Sequence, residues 1–251
     1  MSGTALSIRG LTKRFGGLTA VDHVDLDLVS GKLNAIIGPN GAGKTTLFNL
    51  ISGIIRADEG AVLFEGKDVA QAKPHQIVAA GISRTLQIKS VFSGLSVEDN
   101  LRIAVFAHNK TFSFLRPARG FRSVTERVDE LLEIVGLTRL RHRLAGTISY
   151  GDLALLELGI ALANDPKLLL LDEPICGMSP NETEKTVAKI QDLAGRMNVV
   201  LIEHDMEVVF AIADDVTVMA NGKVLARGKP KDIAANQEVQ DVYLGAPEGD
   251  L

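Results

Sequence analysis

The chain has a single cysteine among its 251 residues. Cys176 alone excludes an internal disulfide framework and a cysteine-rich zinc site. No apolar run approaches the ~20 residues that span a bilayer, and Met1 to Arg14 lacks the apolar stretch of a signal peptide. Low-complexity tracts and internal repeats of solenoid length are also missing. Neither sign of charge dominates. With Lys+Arg 27 against Asp+Glu 31 the net charge is −4, so no global basic field draws the chain to nucleic acid or anionic lipid. What is present is 46% hydrophobic and 23% charged residues, the balance of a soluble globular protein and not of a disordered one; with the single cysteine and the missing span and signal peptide, the chain reads as cytosolic. One or two domains are expected at this length, and one large α/β domain is ordinary. Glycine is plentiful at 24 residues, and several stand in one short loop.

The first part of the chain reads as β-rich. Leu6 to Arg9 is a short strand. Val24, Leu26 and Leu28 alternate with Asp25 and Asp27, the pattern of a half-buried strand. Ala61 to Phe64 is another strand, closed by the turn Glu65-Gly66-Lys67. Ala35-Ile36-Ile37 is wholly apolar, as in a buried parallel strand, and a helix follows from near Lys44 to about Ser52. The middle reads as helical, over Val97 to Ala107 and Val124 to Val135. Between these helices, His108 to Arg122 is basic and carries three phenylalanines. The last part alternates strand and helix. Strands are expected at Leu168 to Leu171, Val199 to Ile202, Val216 to Met219 and Lys223 to Ala226, the last pair joined by an Asn221-Gly222 hairpin turn. Ser179-Pro180-Asn181-Glu182 has the form of a capping box before a helix from Asn181 to Arg196. A further helix is read at Met206 to Ala213, and helical pieces from Pro230 to Leu244 close the chain. This order implies a parallel sheet with a helical insert.

Two motifs carry the chemistry. Gly38-Pro39-Asn40-Gly41-Ala42-Gly43-Lys44-Thr45 fits the phosphate-loop pattern G-x-x-x-x-G-K-[ST], between an apolar strand and a helix. Its glycines let successive backbone N–H groups turn toward a phosphate chain, and the helix N-terminus adds positive potential. Lys44 neutralises the β- and γ-phosphates, the Thr45 hydroxyl ligates Mg²⁺, and Thr46 follows as a further nucleotide contact. Leu168 to Leu171 leads to Asp172 and Glu173 at a strand end, where α/β proteins place ligands. Asp172 is placed to hold Mg²⁺, and Glu173 to polarise the attacking water as general base.

Three further features make the sequence resemble the ATP-binding cassette (ABC) ATPases, from about Leu6 to Gly228. Ile148-Ser149-Tyr150-Gly151-Asp152, before a helix from Leu153 to Asn164, resembles the family signature Leu-Ser-Gly-Gly-Gln. Its Ser149 hydroxyl and Gly151 N–H form a second phosphate site at a helix N-terminus, which in that family takes the γ-phosphate of ATP on the opposite protomer. Gln87, at the end of a strand from Ile82 to Leu86, resembles the Q-loop glutamine that senses Mg²⁺ and the attacking water. His204 resembles the switch histidine at the γ-phosphate. Phe15 resembles the aromatic platform for adenine, its other reading being a core residue. Gly177-Met178-Ser179 resembles the D-loop, with Ser179 in place of the usual acidic residue. Cys176 beside it reads as a small buried thiol. Tyr150 and Asp152 depart from the commonest signature residues, whereas Ser149 and Gly151 keep to it.

Within the family, Arg14 to Val21, Gly81 to Gln87, Ser149-Tyr150-Gly151, Gly177 to Thr183 and Val242-Tyr243-Leu244-Gly245 resemble the ATP-binding subunits of branched-chain amino acid importers. Importers of urea, other amides or aromatic acids, and a lipopolysaccharide-exporting branch, share these features. The resemblance implies one P-loop NTPase domain over about 6–245. It would have a RecA-like α/β core, an N-terminal antiparallel β subdomain, and an α-helical subdomain over about 91–163. It implies ATP and Mg²⁺, a second cassette (identical or homologous), two membrane-spanning permease subunits, a periplasmic or extracellular solute-binding protein, and no nucleic acid. The expected place is the cytoplasmic face of the membrane. The 108–122 insert reads equally as a permease-side element or a solvated loop. A soluble ABC ATPase not coupled to transport is the rival from another class; tandem cassettes and long coiled coils, which mark many of those, are missing here.

Overall fold

The computed structural model describes residues 3–85, 91–109 and 122–244. Two sheets organise them. The first is a four-stranded antiparallel sheet in the order β2-β1-β4-β5. Its strands are β1 (Thr4–Phe15), β2 (Leu18–Val29), β4 (Glu59–Phe64) and β5 (Lys67–Asp68). Val24, Leu26 and Leu28 point into the core while Asp25 and Asp27 stay at the surface, as the alternation requires. β1 is longer than the Leu6 to Arg9 strand expected. Its pairing with β2 shifts register between Ile8 and Leu11, around Gly10. This irregularity breaks the period-two pattern beyond Arg9 without ending the strand.

The second sheet runs β10-β9-β3-β8-β7-β6. β3 (Leu33–Ile37), β6 (Ile82–Arg84), β7 (Leu168–Asp172), β8 (Asn198–Ile202) and β9 (Asp215–Ala220) are parallel. β10 (Lys223–Gly228) returns antiparallel across the Asn221-Gly222 turn. β3 and β7 are buried at every residue, because the sheet is covered on both faces. Leu168 and Leu170 pack in the cluster that contains Phe48, Leu47 and the first sheet's Ile8 and Val62. Leu169 and Leu171 turn the other way, into a cluster with Leu101, Leu131 and Leu156. One strand thereby joins two cores, and a run of four leucines is its natural sequence.

Between β6 and β7 lie α3 (Val97–Asn109), α4 (Arg122–Val135) and α5 (Tyr150–Leu162). Val97, Leu101 and Val105 recur at helical spacing and meet Val128, Leu131 and Leu132 of α4. α5 starts at Tyr150, three residues before the expected Leu153. Ser149 is its N-cap, accepting the Asp152 N–H at 3.2 Å, so the signature residues themselves form the first turn. The capping box at Ser179 opens α6 (Pro180–Ala194) as expected. The short helix α2 (Pro74–Ala80) was not anticipated; Gln76 Oε1 caps it by accepting the Lys73 N–H at 2.8 Å. The rest of the chain forms α1 (Lys44–Ile51), α7 (Met206–Ile212), α8 (Pro230–Ala234) and α9 (Gln237–Leu244). Among the described residues no helix is long and apolar enough to cross a membrane. Most of the basic, aromatic 108–122 insert, Leu86 and Gln87, and Gly245 lie outside the described residues.

Candidate functional site

The phosphate loop leaves β3 at the sheet's centre and enters α1. Its backbone requires glycine at two points. Gly38 has φ +149°, and a Cβ there would stand 2.1 Å from the Met219 carbonyl oxygen. Gly43 has φ +98°, and a Cβ there would stand 2.4 Å from the Ala20 carbonyl oxygen. No side chain caps α1 at Gly43, so its first-turn N–H groups remain for an anion. Lys44 is buried and its Nζ donates to the carbonyls of Gly38 and, at 3.0 Å, Pro39. Burial lowers the pKa of this amine, against the opposing pull of Glu173 and Asp172. Asn40 to Thr46, Phe15, Glu173 and Asn221 line a cavity of about 440 Å³. Phe15 is half exposed there, which favours its reading as a platform over that as a core residue.

Asp172 ends β7 with its side chain fully buried. Its Oδ2 accepts from Arg84 at 2.6 Å, and its Oδ1 meets no hydrogen-bond partner among the described residues. An orphaned buried carboxylate oxygen next to a phosphate loop suits the oxygen-only shell of Mg²⁺. Thr45 and Asp172 would hold the ion, and Gln87, the third expected ligand, lies outside the described residues. The Arg84 guanidinium also donates to Asn49 Oδ1 at 2.7 Å and to Ser52 Oγ at 3.1 Å, and lies over the Phe48 ring. It ties the end of β7 to α1. Sequence reading missed Arg84, although a charge inside an apolar strand is a signal.

Glu173 adopts φ +50°, a strained conformation for a residue with a side chain. That turn lifts its carboxylate out of the strand direction and into the loop cavity. Asp172 pairs with Ile202 across the sheet, so Glu173 and Glu203 leave neighbouring strands at one level. Glu203 is buried. Its carboxylate accepts the Ile175 N–H and the His204 N–H, each at 3.1 Å, and burial raises its pKa above 4.5 against these bonds. It thereby joins the turn after Glu173 to the turn bearing His204, whose ring is half exposed. Neither Glu203 nor Tyr243 was anticipated. Tyr243, from α9, is hydrogen-bonded by the Gly38 backbone, and burial pushes its phenol up to about 12.

Ser149 and Gly151 are not among the residues lining the phosphate-loop cavity. They sit at the head of α5, against α6. Gly151 N–H donates to Glu182 Oε1 at 3.1 Å, and Glu182 Oε2 accepts from Ser179 Oγ at 2.6 Å and Ser179 N–H at 3.1 Å. Cys176 is exposed, which corrects its reading as a buried thiol. The turn that ends at Gly177, with φ +74°, carries it out of the core.

The structure thus collects Asn40 to Thr46, Phe15 and Glu173 around one cavity, with Asp172 buried at the strand end just before Glu173 and His204 beyond the adjacent strand end. Comparison with known proteins gives the chain's relatives. Residues 21–176 match the family described as ABC transporter, and residues 223–249 that described as branched-chain amino acid ATP-binding cassette transporter. The chain is 38% identical over 251 residues to the probable branched-chain amino acid transport ATP-binding protein LivG of Archaeoglobus fulgidus, covering 98% of this chain and 97% of that protein. It is 39% identical over 253 residues to the high-affinity branched-chain amino acid transport ATP-binding protein BraF of Pseudomonas aeruginosa, covering 98% and 99%. Among solved structures it is similar to a nucleotide-free ATP-binding cassette from an ABC transporter, with TM-score 0.87, 30% identity, and coverage of 97% and 100%. It is likewise similar to the ADP conformation of the cassette MJ1267, with TM-score 0.85, 31% identity, and coverage of 98% and 100%.

Proposed function

The chain belongs to the ABC transporter family of ATP-binding cassettes, and on that premise we propose that it drives uptake of branched-chain or related amino acids through a membrane importer. Its fold is the ABC nucleotide-binding fold and its activity is ATP hydrolysis. The observation that carries the substrate class is near full-length similarity to two proteins named for branched-chain amino acid transport, together with the match over 223–249.

The domain runs over about 6–245, with its helical subdomain over about 91–163. Gly38, Pro39, Asn40, Gly41, Ala42, Gly43, Lys44, Thr45 and Thr46 take the triphosphate, and Phe15 stacks on adenine. Mg²⁺, when bound, neutralises charge on the β- and γ-phosphates. Glu173 receives the proton of the attacking water, and His204 and Gln87 hold the γ-phosphate and that water in place. Ser149 and Gly151 complete the site of a second cassette. Because neither half surrounds ATP alone, ATP joins two cassettes head to tail and hydrolysis releases them. That cycle would work two permease subunits, served by an external solute-binding protein, from the cytoplasmic face of the membrane.

A mild-detergent pull-down from native membranes, read by mass spectrometry, tests this. Two polytopic membrane proteins and a second cassette are expected. Recovery of soluble partners alone would favour the uncoupled ATPase. Loss of labelled leucine uptake on deleting the gene tests the substrate class, and retained uptake would point to another solute.

A further inference from the structure

The signature turn already holds an anion within its own chain. Gly151 N–H donates to Glu182 Oε1 at 3.1 Å, while the neighbouring Ser149 hydroxyl donates to Asp152 Oδ2 at 3.1 Å. Both are groups that the reading above assigns to the γ-phosphate of the facing cassette, and the Gly151 N–H is the one that Glu182 occupies. Glu182 belongs to α6, on the core side of the D-loop, whereas Ser149 and Gly151 belong to the helical part. Packing there is close. A Cβ on Gly151 would stand 2.8 Å from Glu182 Cβ and 2.9 Å from its Cγ, so this contact needs glycine at 151.

We infer that Glu182 is a positioning residue for the trans-phosphate site: its carboxylate holds the Gly151 N–H in cis until the γ-phosphate of the facing cassette displaces it. A backbone N–H has one proton, and a strong bond to one anion is made at the expense of the other. Donation by the Ser179 hydroxyl, then by the Gly151 and Ser179 N–H groups, holds the carboxyl at about 2, so it is a full anion at any physiological pH. A capping role alone accounts for the Ser179 bonds, since Glu182 is the last residue of the Ser179-Pro180-Asn181-Glu182 capping box. It does not account for the bond to Gly151, which crosses to another helix. Displacement of Glu182 frees its hold on Ser179, so the arrival of ATP is transmitted to the D-loop.

This inference rests on the ATP-sandwich reading, and the test separates the two. In a Glu173→Gln background, dimer formation by the full chain is followed by light scattering as ATP is raised, with and without Glu182→Gln. Removing a competing state of a few to one lowers the ATP midpoint by about threefold to tenfold. Glu182→Asp serves as the second variant. It keeps a charge in the first turn of α6 but falls a methylene short of Gly151, and it lowers the midpoint as well. Melting temperatures establish that both variants fold. Dimers whose midpoint stays the same or rises in both folded variants overturn this inference alone. No dimer at any ATP concentration in any background overturns the sandwich reading and this inference with it.

Discussion

Arg84 and Asp172 form a buried ion pair at 2.6 Å, joining the sixth and seventh strands where the Asp172 carboxylate ends the sheet strand. The same guanidinium reaches Asn49 and Ser52 on the phosphate-loop helix. One side chain thereby sets the distance between the two motifs that define the nucleotide site.

Breaking that pair should be expensive. Removing one partner of a buried pair leaves the other charged and desolvated, at a cost of about 3–5 kcal/mol. Arg84→Ala is expected to lose stability of that order in urea denaturation and to lose ATPase activity with it. A change within ~0.5 kcal/mol, the range of an ordinary surface substitution, would show that the pair is not structural.

Lys44→Ala is expected to abolish ATP binding in calorimetry while leaving the fold intact, since on the proposed site it removes the cation that would face the phosphates. Hydrolysis at the native rate by this variant would refute the site assignment.

Gly43→Ala forces a side chain into a left-handed conformation and against the Ala20 carbonyl. Strain of about 1–3 kcal/mol in the backbone alone is expected. The melting temperature should fall, and nucleotide affinity with it. An unchanged affinity would mean that the loop adjusts freely.

Glu203 gives a pH signature. Burial raises its folded pKa above 4.5, so the folded state binds the proton more tightly than the unfolded chain. Its contribution to stability therefore grows as pH falls through the folded value towards 4.5 and is lost as pH rises. The stability of the wild type relative to Glu203→Gln should improve on acidification over that window. A difference that moves the other way would contradict the assignment.

The motifs legible in the sequence were those whose chemistry demands fixed spacing. The phosphate loop needs glycine at set offsets, and Gly38 and Gly43 show the carbonyls that enforce it. The four leucines of 168–171 announced a buried strand, and Asn221-Gly222 announced the hairpin of β9 and β10. Contacts remote in sequence were not legible. Arg84 and Asp172 are 88 residues apart, and Gly151 and Glu182 are 31 apart. Nothing local in either segment names the other. Glu182 was seen only as a cap, because its second bond depends on how α5 packs on α6. The bulge at Gly10 hid the length of the first strand, and the exposed turn at Gly177 carried Cys176 outward.

The central claim is that two chains close on ATP and open on hydrolysis, with Glu173 as the base. Sedimentation of Glu173→Gln with and without ATP tests it most directly. The account predicts a monomer without nucleotide, a stable dimer with ATP, and hydrolysis slowed by about 10²–10⁴-fold, the usual contribution of a general base. A variant that stays monomeric with ATP and hydrolyses at the wild-type rate would contradict it.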